Sequence, residues 1–170
     1  AAGTRLTPRR LSLVISAGLT RLAVRRQPRT AILSTGDELV EPGQSTRPDQ
    51  IINSLGPGLS ALVRLWGGNP HYLGIARDNP EQVRQKLDAA TGFDLIVTIG
   101  WASVGDHDHL RQVFDEMGGQ LVFEKIAIKP GKPTWFGQLG TTRVLGLPGN
   151  PVSAIVMARL CLKPLMDALL

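Results

Sequence analysis

From residue 29 onward, short apolar runs alternate with segments whose apolar residues recur every three or four positions. Thr30 to Thr35 reads as a short buried strand that closes on Gly36-Asp37-Glu38. Leu55, Leu59, Leu62, Val63 and Trp66 fall on one helical face, and Gly67-Gly68 ends that helix. Pro57 is tolerated only in a first turn, which places the helix start near Asn53 or Ser54. His71 to Ala76 is a second strand, and Asn79, Pro80 and Gln82 then open a helix as N-cap, N1 proline and capping box. Asp94 to Ile99 is β-branched, bounded by Gly92 and Gly100, and reads as a buried strand. Asp106 to Met117 follows as a helix with Leu110, Val113, Phe114 and Met117 on one face. Leu121 to Ile128, Thr134 to Phe136 and Arg143 to Leu147 read as further strands. A last helix starts near Pro151, presents Val152, Ile155, Val156 and Leu160 to the core, and is kinked or restarted by Pro164. This alternation predicts an α/β fold, a three-layer α/β/α sandwich with a mainly parallel sheet, over residues 29–170.

The first 28 residues lack that rhythm. Thr7 and Pro8 start a short helix carrying Leu11, Val14 and Ile15, and Gly18 ends it. Leu22-Ala23-Val24 reads as a short strand. Residues 1–28 are therefore expected to be the tail of a preceding domain and its linker. The absence of an initiator Met agrees with a piece of a longer protein.

Composition narrows the class. No apolar run reaches the roughly 18 residues of a membrane span. Ala1 to Arg5 lacks the apolar core of a secretory signal. The single cysteine, Cys161, rules out an internal disulfide framework and a CxxC metal site, and a cytoplasmic setting is expected. A net charge of +5 attracts anions, but four Phe and one Tyr offer little for stacking on bases. Charge alone leaves small phosphorylated anions as open as nucleic acid.

Open α/β sheets bind ligands beyond the carboxyl ends of their strands. Asp37 and Glu38, Asp78, the segment 100–108, Lys129-Pro130-Gly131-Lys132-Pro133 and Pro148-Gly149-Asn150 all follow expected strands. Carboxylates and lysines on one rim suit a phosphate-bearing substrate with a divalent cation. Each residue also has a simpler reading. Asp106 can be an N-cap, Asp108 a first-turn carboxylate facing the helix dipole, and Glu38 an acceptor for loop amides. Lys129 and Lys132 can be solvated, and Gly149-Asn150 serves any strand-to-helix turn. That turn, like Gly105-Asp106, is nevertheless expected to aim backbone N–H groups at the site. Other motifs fail. Gly131-Lys132 lacks P-loop spacing, and His107 and His109 point to different helix faces. Ser34 and Ser153 have no triad signature, and Cys161 on an apolar helix reads as packed.

The segments Ser34-Thr35-Gly36-Asp37-Glu38-Leu39, Ser103-Val104-Gly105-Asp106-His107-Asp108, Lys129-Pro130-Gly131-Lys132-Pro133 and Gly146-Leu147-Pro148-Gly149-Asn150-Pro151-Val152-Ser153-Ala154 carry a resemblance. In this order the chain resembles the molybdopterin molybdenumtransferase family, MoeA-type, whose eukaryotic relatives include gephyrin. Residues 29–170 resemble its molybdopterin-binding domain, a fold shared with molybdopterin adenylyltransferases. The resemblance implies insertion of molybdate into adenylated molybdopterin with release of AMP, assisted by Mg²⁺. It implies catalytic roles for Glu38, Asp78 and Asp108, and metal binding by Asp106 and Asp108. Thr35, Gly36, Gly100, Ser103, Gly105, Pro148, Gly149 and Asn150 would admit the pterin and its phosphate. Lys129, Lys132, Pro133 and Ser153 would line the molybdate pocket. The implied partners are the pterin substrate, a second copy in a homodimer, and a molybdopterin adenylyltransferase or recipient molybdoenzymes, not nucleic acid or membrane.

One departure stands out. The family usually has a second glycine after Gly100, and this chain has Trp101. A tryptophan there is expected to occupy the pterin's space, to force φ/ψ that the loop does not favour, or to stack on the pterin where the loop opens outward. Three readings follow: the transferase, a catalytically silent molybdopterin-binding scaffold, and a molybdopterin adenylyltransferase, against which the Lys-Pro-Gly-Lys-Pro segment argues.

Overall fold

The apolar strands do assemble side by side. A computed structural model of the chain describes residues 3–100 and 109–170. Its main sheet has six strands: β1 (Arg29–Thr35), β4 (Asn69–Ala76), β5 (Leu95–Ile99), β6 (Gln120–Phe123), β7 (Trp135–Leu139) and β8 (Thr142–Leu147). Their spatial order is β4-β1-β5-β8-β7-β6. The first four run parallel, and β7 and β6 are antiparallel. A two-residue parallel pair, β2 (Leu39–Val40) with β3 (Ile51–Ile52), forms a separate small sheet.

Side-chain alternation along the central strands divides the core between two faces. Ile32, Leu95, Val97, Ile99, Leu145 and Leu147 pack against α2 (Leu55–Leu65), α5 (Pro151–Met157) and α6 (Lys163–Leu169). Ala31, Leu33, Ile96 and Val144 pack against α3 (Pro80–Ala89) and α4 (His109–Glu116). Both sheet faces are covered, which is why β5 is buried at all five positions and reads as continuous apolar sequence. The expected three-layer α/β/α architecture is thus observed.

The helix boundaries follow their caps. Asn79 Oδ1 accepts from the amides of Glu81 and Gln82 at α3. The Gln82 side chain accepts from the Arg77 amide, two residues before the cap, rather than from the Asn79 amide of the expected capping box. After α5 the backbone passes through a π-helical turn, Ala158–Leu162, before Pro164 enters at the start of α6. The wider turn accommodates a residue that cannot donate to the preceding ladder.

Two strand expectations fail. Leu22-Ala23-Val24 forms no strand, and Leu22 and Val24 are exposed, with no strand beside them among the described residues. The stretch Leu121 to Ile128 is strand only to Phe123, because pairing with β7 ends at Phe136 and the Ile126 amide turns instead to the Lys132 carbonyl. The helix expected from Asp106 is seen from His109; residues 106–108 lie outside the described residues. In the amino-terminal stretch α1 (Pro8–Ser16) forms as its Thr7 cap requires, with no residue buried.

Asp94 clamps that stretch to the domain. Its carboxylate accepts from both terminal nitrogens of Arg26, at 2.5 and 2.6 Å, and from the Arg29 amide at 2.7 Å. The Arg26 hydrogen bond holds the Asp94 carboxyl below the usual range, reinforced by the Arg29 amide. A carboxyl lowered in the folded state stabilises above its unfolded pKa and loses that contribution as pH falls through the folded one. Asp94→Asn is therefore expected to lower the thermal midpoint at pH 7. The difference from wild type should begin to narrow below about pH 4, the ordinary aspartate range, and close once the pH has fallen through the lowered native value. Melting curves across pH check this, and a pH-independent difference would remove the ion pair as its cause.

Cys161 is half-buried against the α2–α5–α6 face of the core, and burial pushes its thiol up. It should react with a disulfide reagent at pH 8 more slowly in the native chain than in denaturant. Equal rates would mean the thiol is open.

Candidate functional site

The carboxyl ends of β1, β5 and β8 meet at one point of the sheet edge. The chain leaves β1 toward β4 on one side and reaches β5 on the other, so β1 and β5 flank the topological switch point. There Thr35 Oγ1 donates to the Ile99 carbonyl across 3.2 Å. The Gly100 amide donates to the Leu147 carbonyl, tying β5 to β8. Gly100 has φ +134°, and any Cβ on it would run into the Thr35 carbonyl. A Cβ on Gly149 would lie 3.3 Å from Gly100 Cα. Thr35, Gly100 and Gly149 therefore form a close-packed backbone floor in which Gly100 and Gly149 have no room for a side chain, with Gly36 and Pro148 next to them in sequence.

Acidic residues stand at the β1 and β4 side of this floor. Gly36 follows β1 at φ +144°, and its missing Cβ leaves room for the Glu38 carboxylate, whose Cδ would lie 2.8 Å from such an atom. Asp37 Oδ1 accepts from the Asp78 amide at 3.0 Å, and Arg77 donates to the Asp37 and Leu39 carbonyls at 2.7 and 3.0 Å. Asp37 and Arg77 thus fasten the loop after β1 to the end of β4, leaving the Glu38 and Asp78 side chains exposed. Arg77 is a residue the sequence reading missed; only its neighbour Asp78 drew attention there.

The lysine turn reaches the same edge by a route the sequence did not predict. It precedes β7, and Trp135 at the start of β7 pairs with Gly146 near the carboxyl end of β8. Because β7 is antiparallel, its beginning lies where the parallel strands end. Gly131 is buried against Met157 of α5, and the Thr134 hydroxyl and amide both donate to the Gly131 carbonyl. The Lys129–Pro130 peptide is cis. Lys129 and Lys132 project into solvent from this fixed turn.

At the start of α5 the Asn150 cap engages part of the donor set. Asn150 Oδ1 accepts from the Ser153 amide at 3.1 Å and the Ser153 hydroxyl at 3.3 Å. The cap itself takes donors that an anion would otherwise meet. Trp101, Ser103, Gly105, Asp106, His107 and Asp108 lie outside the described residues. Among the described residues no three His, Cys, Asp or Glu side chains group closely enough to hold a metal ion.

Comparison with known proteins identifies the family of this fold. The profile described as "Probable molybdopterin binding domain" matches residues 31–168, nearly the whole sheet-and-helix unit. The chain belongs to the molybdopterin-binding domain family. It is 35% identical over 159 residues to a molybdopterin molybdenumtransferase of Nostoc, covering 91% of this chain and 36% of that protein. It is 39% identical over 168 residues to the molybdopterin molybdenumtransferase of Haemophilus influenzae, covering 98% of this chain and 41% of the relative. A solved structure, the molybdopterin biosynthesis MoeA protein of Pyrococcus horikosii, superposes with a TM-score of 0.89 at 34% identity. That match covers 99% of this chain and 42% of the Pyrococcus chain. The chain thus spans about two fifths of the length of the proteins it matches.

A second feature of this molybdopterin-binding domain escaped the sequence. Ser34, in the apolar strand β1, and Asn53, just before α2, are both buried polar residues and bond to each other. A serine within Ala-Ile-Leu-Ser-Thr was the available signal, since a hydroxyl buried in a strand needs a partner.

Proposed function

We propose that this chain binds adenylated molybdopterin at the carboxyl edge of its sheet and serves insertion of molybdate with release of AMP. The observation that supports it most is the meeting of three strand ends at Gly36, Gly100 and Gly149, rimmed by Glu38, Asp78 and the Lys129–Pro133 turn. Backbone without side chains lets a flat pterin and its phosphate approach closely. Lys129 and Lys132 supply the cationic donors an oxyanion requires; the Ser153 hydroxyl joins them once it exchanges Asn150 for the anion, with Pro133 and Asn150 shaping their turns. In this reading Ser103 and Gly105 extend the pterin contact. Glu38, Asp78 and Asp108 are the working carboxylates.

Mg²⁺, when bound, would offset charge on the diphosphate whose anhydride bond is cleaved. Its ligands in our reading are Asp106 and Asp108. The exposed Glu38 and Asp78 side chains fit a supporting role, being acidic and free of a direct ion pair among the described residues. We further propose residues 29–170 as the binding domain and 1–28 as the tail and linker of a preceding one, within a cytoplasmic homodimeric protein. No helix among the described residues is long and apolar enough to cross a membrane.

The test is a calorimetric titration of this chain with adenylated molybdopterin, with and without Mg²⁺. Saturable binding, strengthened by Mg²⁺ and weakened at least tenfold by Asp108→Ala, is the expected result, since a charged contact is worth about 1.5–3 kcal/mol. Absence of binding, persisting in Trp101→Gly, would overturn the assignment of the site to this chain. Trp101, where the family has glycine, favours a second reading as a silent binding scaffold. Molybdate-dependent AMP release separates the two: the transferase releases it and the scaffold does not.

A further inference from the structure

The segment between β1 and α2 carries Asp37 and Glu38, yet little apolar packing holds it. Ile51 and Ile52 of β3 are 57% and 51% exposed, so the small sheet buries almost nothing on that strand. Its anchor is polar. The Asn53 side chain is 3% exposed, and its Nδ2 donates to Ser34 Oγ at 3.0 Å and to the Tyr72 hydroxyl at 2.5 Å. Its Oδ1 accepts from Ser34 Oγ at 3.2 Å and from the Gly56 amide at 3.1 Å. Both donors and both acceptor sites of the amide are used. The Tyr72 hydroxyl in turn donates to Glu41 Oε1 at 2.8 Å.

Glu41 lies just past β2, and Asn53 just past β3. One phenol on β4 therefore grips both ends of the intervening loop. The surroundings are shaped for it. A Cβ on Gly56 would strike the Tyr72 ring, and β4 carries an irregularity opposite Ile32 to Ser34 with Gly74 at φ +83°. Burial and the Glu41 carboxylate both push the Tyr72 phenol up, so it remains a donor throughout the working pH range. The connection to the site is short: the Ile51 amide donates to the Glu38 carbonyl at 2.8 Å, and the Asn53 amide to the Val40 carbonyl at 2.8 Å.

We propose that Tyr72 and Asn53 are positioning residues that fix Glu38 at the sheet edge through the β2–β3 pair. The functional half of this proposal rests on the reading of the site given above; the anchoring half does not. Tyr72→Phe keeps the ring and removes only the shared hydroxyl. We expect the Ile51 and Asn53 amides to exchange roughly five- to tenfold faster in the variant, the factor a net hydrogen bond represents, with β5 and β8 amides unchanged. The dissociation constant for adenylated molybdopterin should rise by a similar factor, about five- to tenfold. Asn53→Ala should produce the same local pattern more strongly, and Tyr72→Phe decides the matter should that variant fail to fold.

Unchanged exchange at Ile51 and Asn53 in Tyr72→Phe would overturn the anchor. Faster exchange with unaltered ligand affinity would overturn the link to the site. If wild type itself does not bind the ligand, the functional reading fails, and exchange still decides the anchor.

Discussion

Gly146→Ala is expected to destabilise the domain by about 3 kcal/mol or more, at the upper end of what overpacking a core does. Gly146 lies in β8, paired with Thr98 on one side and Trp135 on the other. A methyl at this position would overlap the five-membered ring of the Trp135 indole. That indole is 1% exposed and set edge-on to Phe114 at 5.1 Å, inside the α3–α4 face of the core. Protein interiors are packed too densely for a tryptophan to step aside without displacing its neighbours. The clash makes a stronger statement than the stability loss alone. In a Trp135→Leu background, itself destabilised by several kcal/mol, adding Gly146→Ala should cost little. Urea melts of the two singles and the double measure this coupling. Additive losses would show that the indole does not determine the need for glycine.

This pair illustrates what the sequence conveyed and what it withheld. A glycine inside an apolar strand announces a close approach, but not which side chain approaches. The central strands were legible because burial on both faces leaves continuous apolar runs, as at Asp94 to Ile99. Caps were legible because they are local: Thr7-Pro8 and Asn79-Pro80 open their helices as read, and the last helix starts at Pro151 as expected. However, Val152, Ile155 and Leu160, expected on its core face, are exposed, and Ala154, Met157 and Ala158 are buried instead. Elements that depend on a distant partner were not. Leu121 to Ile128 has strand-like composition throughout, yet the strand stops where β7 stops offering partners. Leu22-Ala23-Val24 has the composition without a partner strand among the described residues.

The candidate site divides in the same way. Glycine and carboxylate segments at strand ends could be read from position alone, since the fold places those ends together. The approach of the Lys129–Pro133 turn depended on the direction of β7, which the hydrophobic pattern does not encode. The Arg77 clamp and the Tyr72–Asn53 anchor join residues 38 or more and 19 positions apart, respectively, so no local signal announces either. For the segment 101–108 the sequence reading stands as a proposal.

The second large effect is expected at the floor of the site. Gly100→Ala should cost more than backbone conformation explains and should weaken the proposed binding of adenylated molybdopterin at least about a hundredfold, as distortion of a preformed site by 1 Å can do. Two penalties combine. An L-residue at φ +134° is strained by about 1–3 kcal/mol. The new methyl also meets the Thr35 carbonyl and hydroxyl, so the ends of β1 and β5 must separate or the Thr35–Ile99 hydrogen bond must break. Gly92→Ala is a positive-φ control without the second penalty. Gly92 also has positive φ, +83°, but nothing lies within 4 Å of its missing Cβ, and it stands before β5 at the opposite edge. That variant should lose about 1 kcal/mol for its backbone alone and bind ligand as wild type does. Chemical melts and calorimetric titration of both variants make the comparison. If Gly100→Ala loses no more stability than Gly92→Ala and keeps its affinity, the convergence of strand ends is not what shapes the site. If it loses both while Gly92→Ala loses only stability, the strand ends at Gly100 set the shape that the ligand needs.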